Sequence, residues 1–409
     1  MTRAWGVIGA AYGDEGKGLL TDHWCEQARV RGERAVAVRF NGGAQAGHTV
    51  VRADGRRHVF HHWGAGALAG AATHLGSRFV AHPMLFAQES RTLVDLGGCP
   101  IITADPRVRV TTPVDVMLNQ AIETARGAAR HGSCGMGFGE TCARNEDSAF
   151  ALTLGQIAAW NDADLLGFLS QLVDGHLPKR MGELGLTEDA LGPWPRDPRI
   201  AQRFVQDCRW LLNHVALADP STLRGFDAVV FEGAQGLALD EELGDFPYVT
   251  RSKTGLPYLV ELADEAGLSD VQVTYCTRAY TTRHGAGPLP FETELLKVRD
   301  LTNLPNAHQG VLRFAPLLLD DLARRVRADR ARSAGRVGLS FGILVSCMDQ
   351  VGSMVTVANS EAVAREDLSA AVQTALDSAW RLESHGPRSH DVRAVRALRR
   401  THRTHGTHR

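Results

Sequence analysis

No stretch of this 409-residue chain approaches the ~18 consecutive apolar residues of a membrane-spanning helix, so no such segment is expected. The N-terminus also lacks the zones of a secretory signal. Met1-Thr2-Arg3-Ala4-Trp5-Gly6-Val7-Ile8 runs straight into a strand-like segment. The seven cysteines are an odd number and include no CxxC pair. Both features predict a cytoplasmic protein with free thiols rather than a disulfide framework or zinc ribbon. Internal repeats are missing, and so are low-complexity tracts ahead of the C-terminal tail, which excludes solenoids and propellers. Net charge is nearly absent at −1, but it is segregated: residues 393–409 hold six arginines, three histidines and no acid. Removing those six positive charges leaves −7 on the rest. The tail is read as a frayed, solvated terminus with no nucleic-acid partner.

What remains is ordinary globular material, 44% hydrophobic and 22% charged, long enough to bury a large core. Strand-like apolar runs at 5–8, 35–40, 227–231, 270–275 and 339–346 alternate with helical stretches such as 19–30. That rhythm predicts an α/β fold, a large and mostly parallel central sheet flanked by helices. Residues 151–220 read as a helical insertion, with amphipathic candidates at 156–172 and 199–217 separated by Gly192-Pro193-Trp194-Pro195. The expected organisation is one unit over 1–392 followed by the basic tail.

Four groups of residues carry chemistry. Gly9-Ala10-Ala11-Tyr12-Gly13-Asp14-Glu15-Gly16-Lys17-Gly18 is a glycine-rich turn between strand and helix, where backbone amides, a helix N-terminus and Lys17 can cradle phosphate. It is not a Walker A loop, because Gly18 stands where a Ser/Thr would bind magnesium; Asp14 is the nearest hard oxygen ligand. A plain strand-to-helix turn remains the alternative reading. Asn41-Gly42-Gly43-Ala44-Gln45-Ala46-Gly47-His48-Thr49 follows the next strand and offers His48 as an acid or donor, or as a structural histidine. The run His58-Val59-Phe60-His61-His62 reads as a strand with alternating faces rather than a zinc site. Finally, the loops 132–140, 231–236, 247–252 and 282–290 each follow or end an apolar run and offer hydroxyl, amide or backbone donors.

In this order GDEGKG, GGxxAGHT, FEGAQG, FPYVT and TRHGAGPLP resemble the adenylosuccinate synthetase family, and Ser384-His385-Gly386-Pro387 is similar to its nucleotide-base loop. The resemblance implies that fold and a C–N ligase driven by nucleoside triphosphate. Asp14 would be catalytic base and Mg²⁺ ligand, His48 the catalytic acid, Lys17 a phosphate ligand and Gly47 a backbone Mg²⁺ ligand. Gly13, Glu15, Gly16, Gly18, Thr49, Asp349, Ser384, Gly386 and Pro387 would hold the donor nucleotide. Gln45, Ser133, Cys134, Gln235 and Thr250 would hold the acceptor. Arg144 would reach the nucleotide phosphate of a partner subunit in a homodimer, and Arg313, with Gln309 and Gly310, would meet L-aspartate.

Departures from that pattern narrow it. Ala44-Gln45 replaces His-Asn, Ser133-Cys134-Gly135-Met136 replaces a double threonine followed by Gly-Arg, and Cys347-Met348-Asp349 replaces Lys-Leu-Asp. The whole resembles the phage-type branch that makes N6-succino-2-amino-2′-deoxyadenylate from dGMP, which implies dGMP, L-aspartate and ATP or dATP as partners, in a host cytoplasm. Retained Asp14 departs from many members of that branch and leaves IMP or GMP as acceptor and GTP as donor open. A reading of another class, a nucleotide-binding switch without catalysis, needs neither Asp14 nor His48.

Overall fold

Segments that are apolar on both faces form parallel strands covered by helices on both sides. A computed structural model describes residues 2–97, 100–294, 298, 310–333, 335–357 and 362–395. The central strands are β1 (Arg3–Gly9), β2 (Ala35–Arg39), β3 (Ala72–Leu75), β4 (Ile102–Ala104), β5 (Val215–Leu217), β6 (Ala228–Glu232), β7 (Asp270–Arg278), β8 (Gly338–Ser346), β9 (Trp380–Ser384) and β10 (Val392–Ala394). They lie in the order β10-β9-β8-β7-β1-β6-β2-β3-β4-β5. All neighbours are parallel except β9 and β10. The expected α/β architecture is thus present, with each predicted strand lying within a residue or so of an observed one or inside it.

Helix α1 (Lys17–Val30) carries the chain from β1 to β2, two places to one side, whereas β7 lies on β1's other flank. The crevice beyond the carboxyl end of β1, where connections diverge, is the usual ligand position in such sheets. The glycine-rich turn after β1, the loop after β2 and the 232–236 turn after β6 all leave the sheet at this edge.

The insertion folds as helices Leu154–Ala159, Asp162–Gln171, Leu177–Leu184 and Pro198–His214. Leu165, Phe168 and Leu169 join Phe204, Cys208 and Leu211 in an apolar cluster with Phe86 and Leu93. Two boundaries differ from expectation. The 156–172 helix is broken at Asn161, whose side chain accepts the Asp164 amide at 3.0 Å and starts a new helix. The last residues of the 199–217 helix are instead strand β5, which pairs with β4 at the sheet edge. The 393–409 tail lies almost wholly outside the described residues, among which no helix is long and apolar enough to cross a membrane.

His74 on β3 is fully buried. Its Nδ1 lies 2.9 Å from Thr103 Oγ1, and Nε2 has no hydrogen-bond partner among the described residues. Burial pushes its pKa down to about 4. The unfolded chain takes up this proton near 6.5, so the contribution of neutral His74 is complete above that pH and is lost as pH falls toward 4. In denaturant titrations the advantage of wild type over H74N is therefore expected to shrink by up to about 3 kcal/mol between pH 7 and pH 4. A difference independent of pH refutes the assignment.

Candidate functional site

Between β1 and α1 the backbone turns through the left-handed region at Gly13, Asp14 and Gly16, with φ of 91°, 55° and 90°. Asp14 adopts it at a cost that short polar side chains tolerate best. The turn is held from within by Glu15, whose carboxylate accepts the Ala11 amide at 2.8 Å and the Gly13 amide at 3.1 Å. It is also held from outside, by Arg278 donating to the Asp14 carbonyl and by Ser346 Oγ donating to the Glu15 carbonyl at 3.1 Å. Burial pushes the Glu15 carboxyl up to about 8 against the opposing pull of Lys17 and the two amides.

This corrects two expectations: the Gly13 amide is engaged inside the loop, and Glu15 is buried as a brace rather than turned toward a ligand. The donors left for an anion are those of the first turn of α1. Its cap, Gly16, provides no side-chain acceptor, and buried Lys17 and Gly18 follow. A Cβ at Gly18 would come within 3.0 Å of the His48 Cβ, so this helix start faces the second loop directly.

That loop is locked to the 232–236 turn. Asn41 accepts the Ala234 amide at 2.8 Å and donates to the Ala234 and Lys253 carbonyls. Buried His48 places Nδ1 2.5 Å from Glu232 Oε1, and Glu232 Oε2 accepts the Ala65 amide at 3.0 Å. His48, Arg39 and the amide bond hold Glu232 below the usual carboxylate range despite its burial. Burial takes His48 down to about 4, opposed by Glu232. At neutral pH an ionised Glu232 can only accept, so Nδ1 carries the hydrogen and Nε2 is the working nitrogen. Glu232 had no role in the sequence reading; an acid ending a wholly apolar strand was the available signal. Gln45 is half-buried and its Nε2 has no partner among the described residues. Gly47 is the exposed point of the loop and Thr49 is half-buried behind it.

The histidine run forms strand Arg57–Phe60, paired with His48–Val51. His61 Nδ1 contacts the Ala44 carbonyl at 2.7 Å, while His62 sits between Glu89 and the His82 amide. These imidazoles brace the loop.

On the other flank three loops meet. A Cβ at Gly132 would approach the Ala286 nitrogen to 2.7 Å, and the His131 and Tyr248 rings lie 5.6 Å apart. Ser133 Oγ donates to Asn119 at 2.9 Å, and Cys134 beside it is half-buried, its thiol pushed up by burial. Gln235, with φ of 63°, and Thr250 are half-buried along the same side. Arg283 stacks on Tyr12 and donates to the carbonyls of Ala286, Pro288 and Tyr248.

Arg144 does not belong to this group. It is fully buried, bidentate on Asp115 and bonded to the Phe150 and Val110 carbonyls, so it cannot reach another subunit. Arg313 is engaged by Glu292 and by the carbonyls of Gly285 and Gly287, so it offers no open guanidinium to a substrate carboxylate. Gly310 is half-buried nearby in sequence, and Gln309 lies outside the described residues.

At the far end, Asp349 and Pro387 are exposed. Ser384 is buried and its hydroxyl donates to the Gly386 carbonyl at 2.6 Å, which shapes the loop instead of contacting a ligand. An isolated bridge between Val51 and Arg388 seats this segment beside the His48 strand.

For a divalent cation, Asp14 presents a side chain 29% exposed at the lip of the turn. Among the described residues no three His, Cys, Asp or Glu side chains cluster as a metal cage. One carboxylate fits a magnesium ion carried mainly by nucleotide phosphates and water.

A family model for adenylosuccinate synthetase matches residues 6–383. Curated relatives include the adenylosuccinate synthetase of Chromohalobacter salexigens, 32% identical over 296 residues, covering 70% of this chain and 64% of the relative. That of Synechococcus sp. (strain RCC307) is 33% identical over 306 residues, covering 70% and 63%. The matched region is thus just under two thirds of those relatives' length. Among solved structures, fully ligated adenylosuccinate synthetase from Plasmodium falciparum superposes with a TM-score of 0.72 at 18% identity, over 96% of this chain and 100% of that one. Succinoaminodeoxyadenylate synthetase of cyanophage S-2L, bound to dGMP and dATP, gives 0.61 at 16% identity over 96% of each chain. At such identities the structural likeness concerns the fold alone. With the family match running across nearly all of the described sheet, the chain belongs to the adenylosuccinate synthetase family.

Proposed function

We propose that the protein is a C–N ligase joining L-aspartate to C6 of dGMP, with ATP or dATP as phosphoryl donor, to give N6-succino-2-amino-2′-deoxyadenylate for diaminopurine nucleotide synthesis. The ligase reading is carried by one juxtaposition: Asp14, the Lys17 helix start and the Glu232-held His48 meet at the carboxyl ends of β1 and β6. A purine 6-oxo group is amide-like and exchanges with an amine only after its oxygen becomes a leaving group. Asp14 takes the N1 proton while the 6-oxygen attacks the γ-phosphorus and the nucleoside diphosphate departs. Lys17 and the first-turn amides of α1 face the charge on the transferring group, and His48, once Nε2 takes a proton from solvent with the Glu232 charge supporting the imidazolium, donates Nε2–H to the 6-oxygen. The aspartate amine then adds at C6, phosphate leaves with the C6–O electron pair, and the nitrogen loses its proton. Bound Mg²⁺, held by Asp14 and the Gly47 carbonyl, would neutralise phosphate charge. A switch without catalysis has no use for an imidazole oriented by a buried carboxylate. A homodimer remains part of the proposal, without Arg144.

The dGMP acceptor is supported by the sequence departures at Ala44-Gln45, Ser133-Cys134 and Cys347, and by the cyanophage protein of this fold bound to dGMP and dATP. A second reading, IMP with GTP, is supported by Asp349, an exposed carboxylate able to pair with guanine N1–H and N2–H in a donor, and by the naming of the curated relatives. Phosphate release with L-aspartate, measured for dGMP, GMP and IMP against ATP, dATP and GTP, separates them. The expected maximum is dGMP with ATP or dATP; kcat/KM for IMP at or above that for dGMP makes the protein an adenylosuccinate synthetase acting on IMP.

Two substitutions test the roles. D14N is expected to bind nucleotide yet lose ~10²-fold or more in turnover, and unaltered turnover removes Asp14 as base. E232Q keeps an acceptor for Nδ1–H but removes the charge that supports an imidazolium. Its kcat is expected to fall ~10²-fold with little change in nucleotide affinity. Wild-type kcat in that variant would leave His48 without an acid role.

A further inference from the structure

On the acceptor flank His284 differs from Arg283 beside it and from Arg313 on the strand paired with that segment. Arg283 and Arg313 are bonded to loop carbonyls, whereas His284 Nδ1 is buried without a hydrogen-bond partner among the described residues. Its other nitrogen, Nε2, stands 3.7 Å from Asp14 Oδ2, beyond hydrogen-bond length. Both side chains are largely covered, 18% and 29% exposed. Nor can the imidazole drift away easily. Arg283 holds the carbonyls of Ala286 and Pro288 at 3.0 and 2.8 Å, Arg313 holds those of Gly285 and Gly287 at 3.1 and 2.9 Å, and Gly285 packs against Gly132. Nε2 and the Asp14 carboxylate thus stand side by side without bonding each other, both partly exposed, and each is open to a third group.

The geometry points to His284 as the residue that reads the substituent at C2 of the acceptor purine. This rests on the proposal that Asp14 faces N1. Guanine presents N1–H and an exocyclic 2-amino group side by side, while hypoxanthine presents N1–H beside C2–H. Asp14 Oδ2 and His284 Nε2, 3.7 Å apart, form two neighbouring acceptor positions that match the guanine edge: Asp14 takes N1–H, and Nε2 accepts from the 2-amino group while Nδ1 carries the ring hydrogen. In the neutral ring one nitrogen accepts while the other carries the hydrogen, so the side chain supplies the acceptor that this edge needs. Against hypoxanthine the same acceptor meets a C–H and stays unpaired, which is the arrangement by which a site rejects an analogue lacking a hydrogen-bonding group.

dGMP and dIMP differ only in the 2-amino group, so their kcat/KM ratio isolates the contact. It is measured at saturating L-aspartate and ATP for wild type, H284V and H284Q, with thermal melts of each protein; H284A replaces H284V should the valine protein not fold. H284V is expected to lower the dGMP/dIMP ratio roughly 10-fold, mainly through KM for dGMP, and H284Q, which keeps an acceptor, to recover part of it. A ratio unchanged by loss of the imidazole overturns the assignment. So does an equal loss for both nucleotides, which would make His284 a prop for Asp14, and so does an H284Q ratio no better than that of H284V. A wild-type ratio below one overturns the dGMP reading by itself. The shift in ratio between wild type and H284V judges His284 whichever acceptor the wild type prefers.

Discussion

The arrangement depends on one buried carboxylate. Glu232 ends a strand with no exposed residue, and an isolated ion there would carry a large desolvation cost. It is stabilised by three unrelated parts of the chain: His48 from the second glycine loop, the Ala65 amide, and the charge of Arg39 at the end of β2. Because each partner satisfies a different part of the same group, moving any one leaves charge unpaired in a dry interior. Sheet order brings β6 between β1 and β2, so this one group fastens the loops that follow both strands. The orientation of His48 is thus a consequence of how the sheet is assembled.

Much of the fold was legible because central strands buried on both faces read as short apolar runs bounded by glycine. β1, β2 and β6 are of this kind, and their predicted and observed limits nearly coincide. The helical insertion was harder. Periodicity over 156–172 continues across a break, since the apolar face of one helix lines up with that of the next and only the Asn161 cap marks the join. At 215–217 the residues suit either state, and pairing with β4 decides for strand.

For the site, the loops were legible and the commitments of single side chains were not. A glycine-rich turn after a strand announces itself in sequence. Nothing in sequence shows that Glu15 takes up the Gly13 amide, that Ser384 closes its own loop, or that Arg144 is sealed against Asp115. Each of these is a contact between groups whose distance apart depends on the finished fold, and a motif match carries the residue type without its partner. Arg313 shows the same limit: Glu292, 21 residues away, supplies the carboxylate that the resemblance assigned to a substrate.

The loops around the site are rich in glycine, yet a ligase must hold three reactants in register. Guanidinium groups supply the rigidity instead. Arg278 holds the Asp14 carbonyl, Arg283 holds three carbonyls from two loops, and Arg313 holds two more in the loop carrying His284. A planar fork with five donors can satisfy several carbonyls at once while losing little conformational freedom per bond. A loop carbonyl needs a partner whenever nearby atoms exclude water. The same bonds therefore answer the backbone's own demand and set the positions of Asp14 and His284, so that the ordering cost of the site is met largely in folding rather than at the moment of binding.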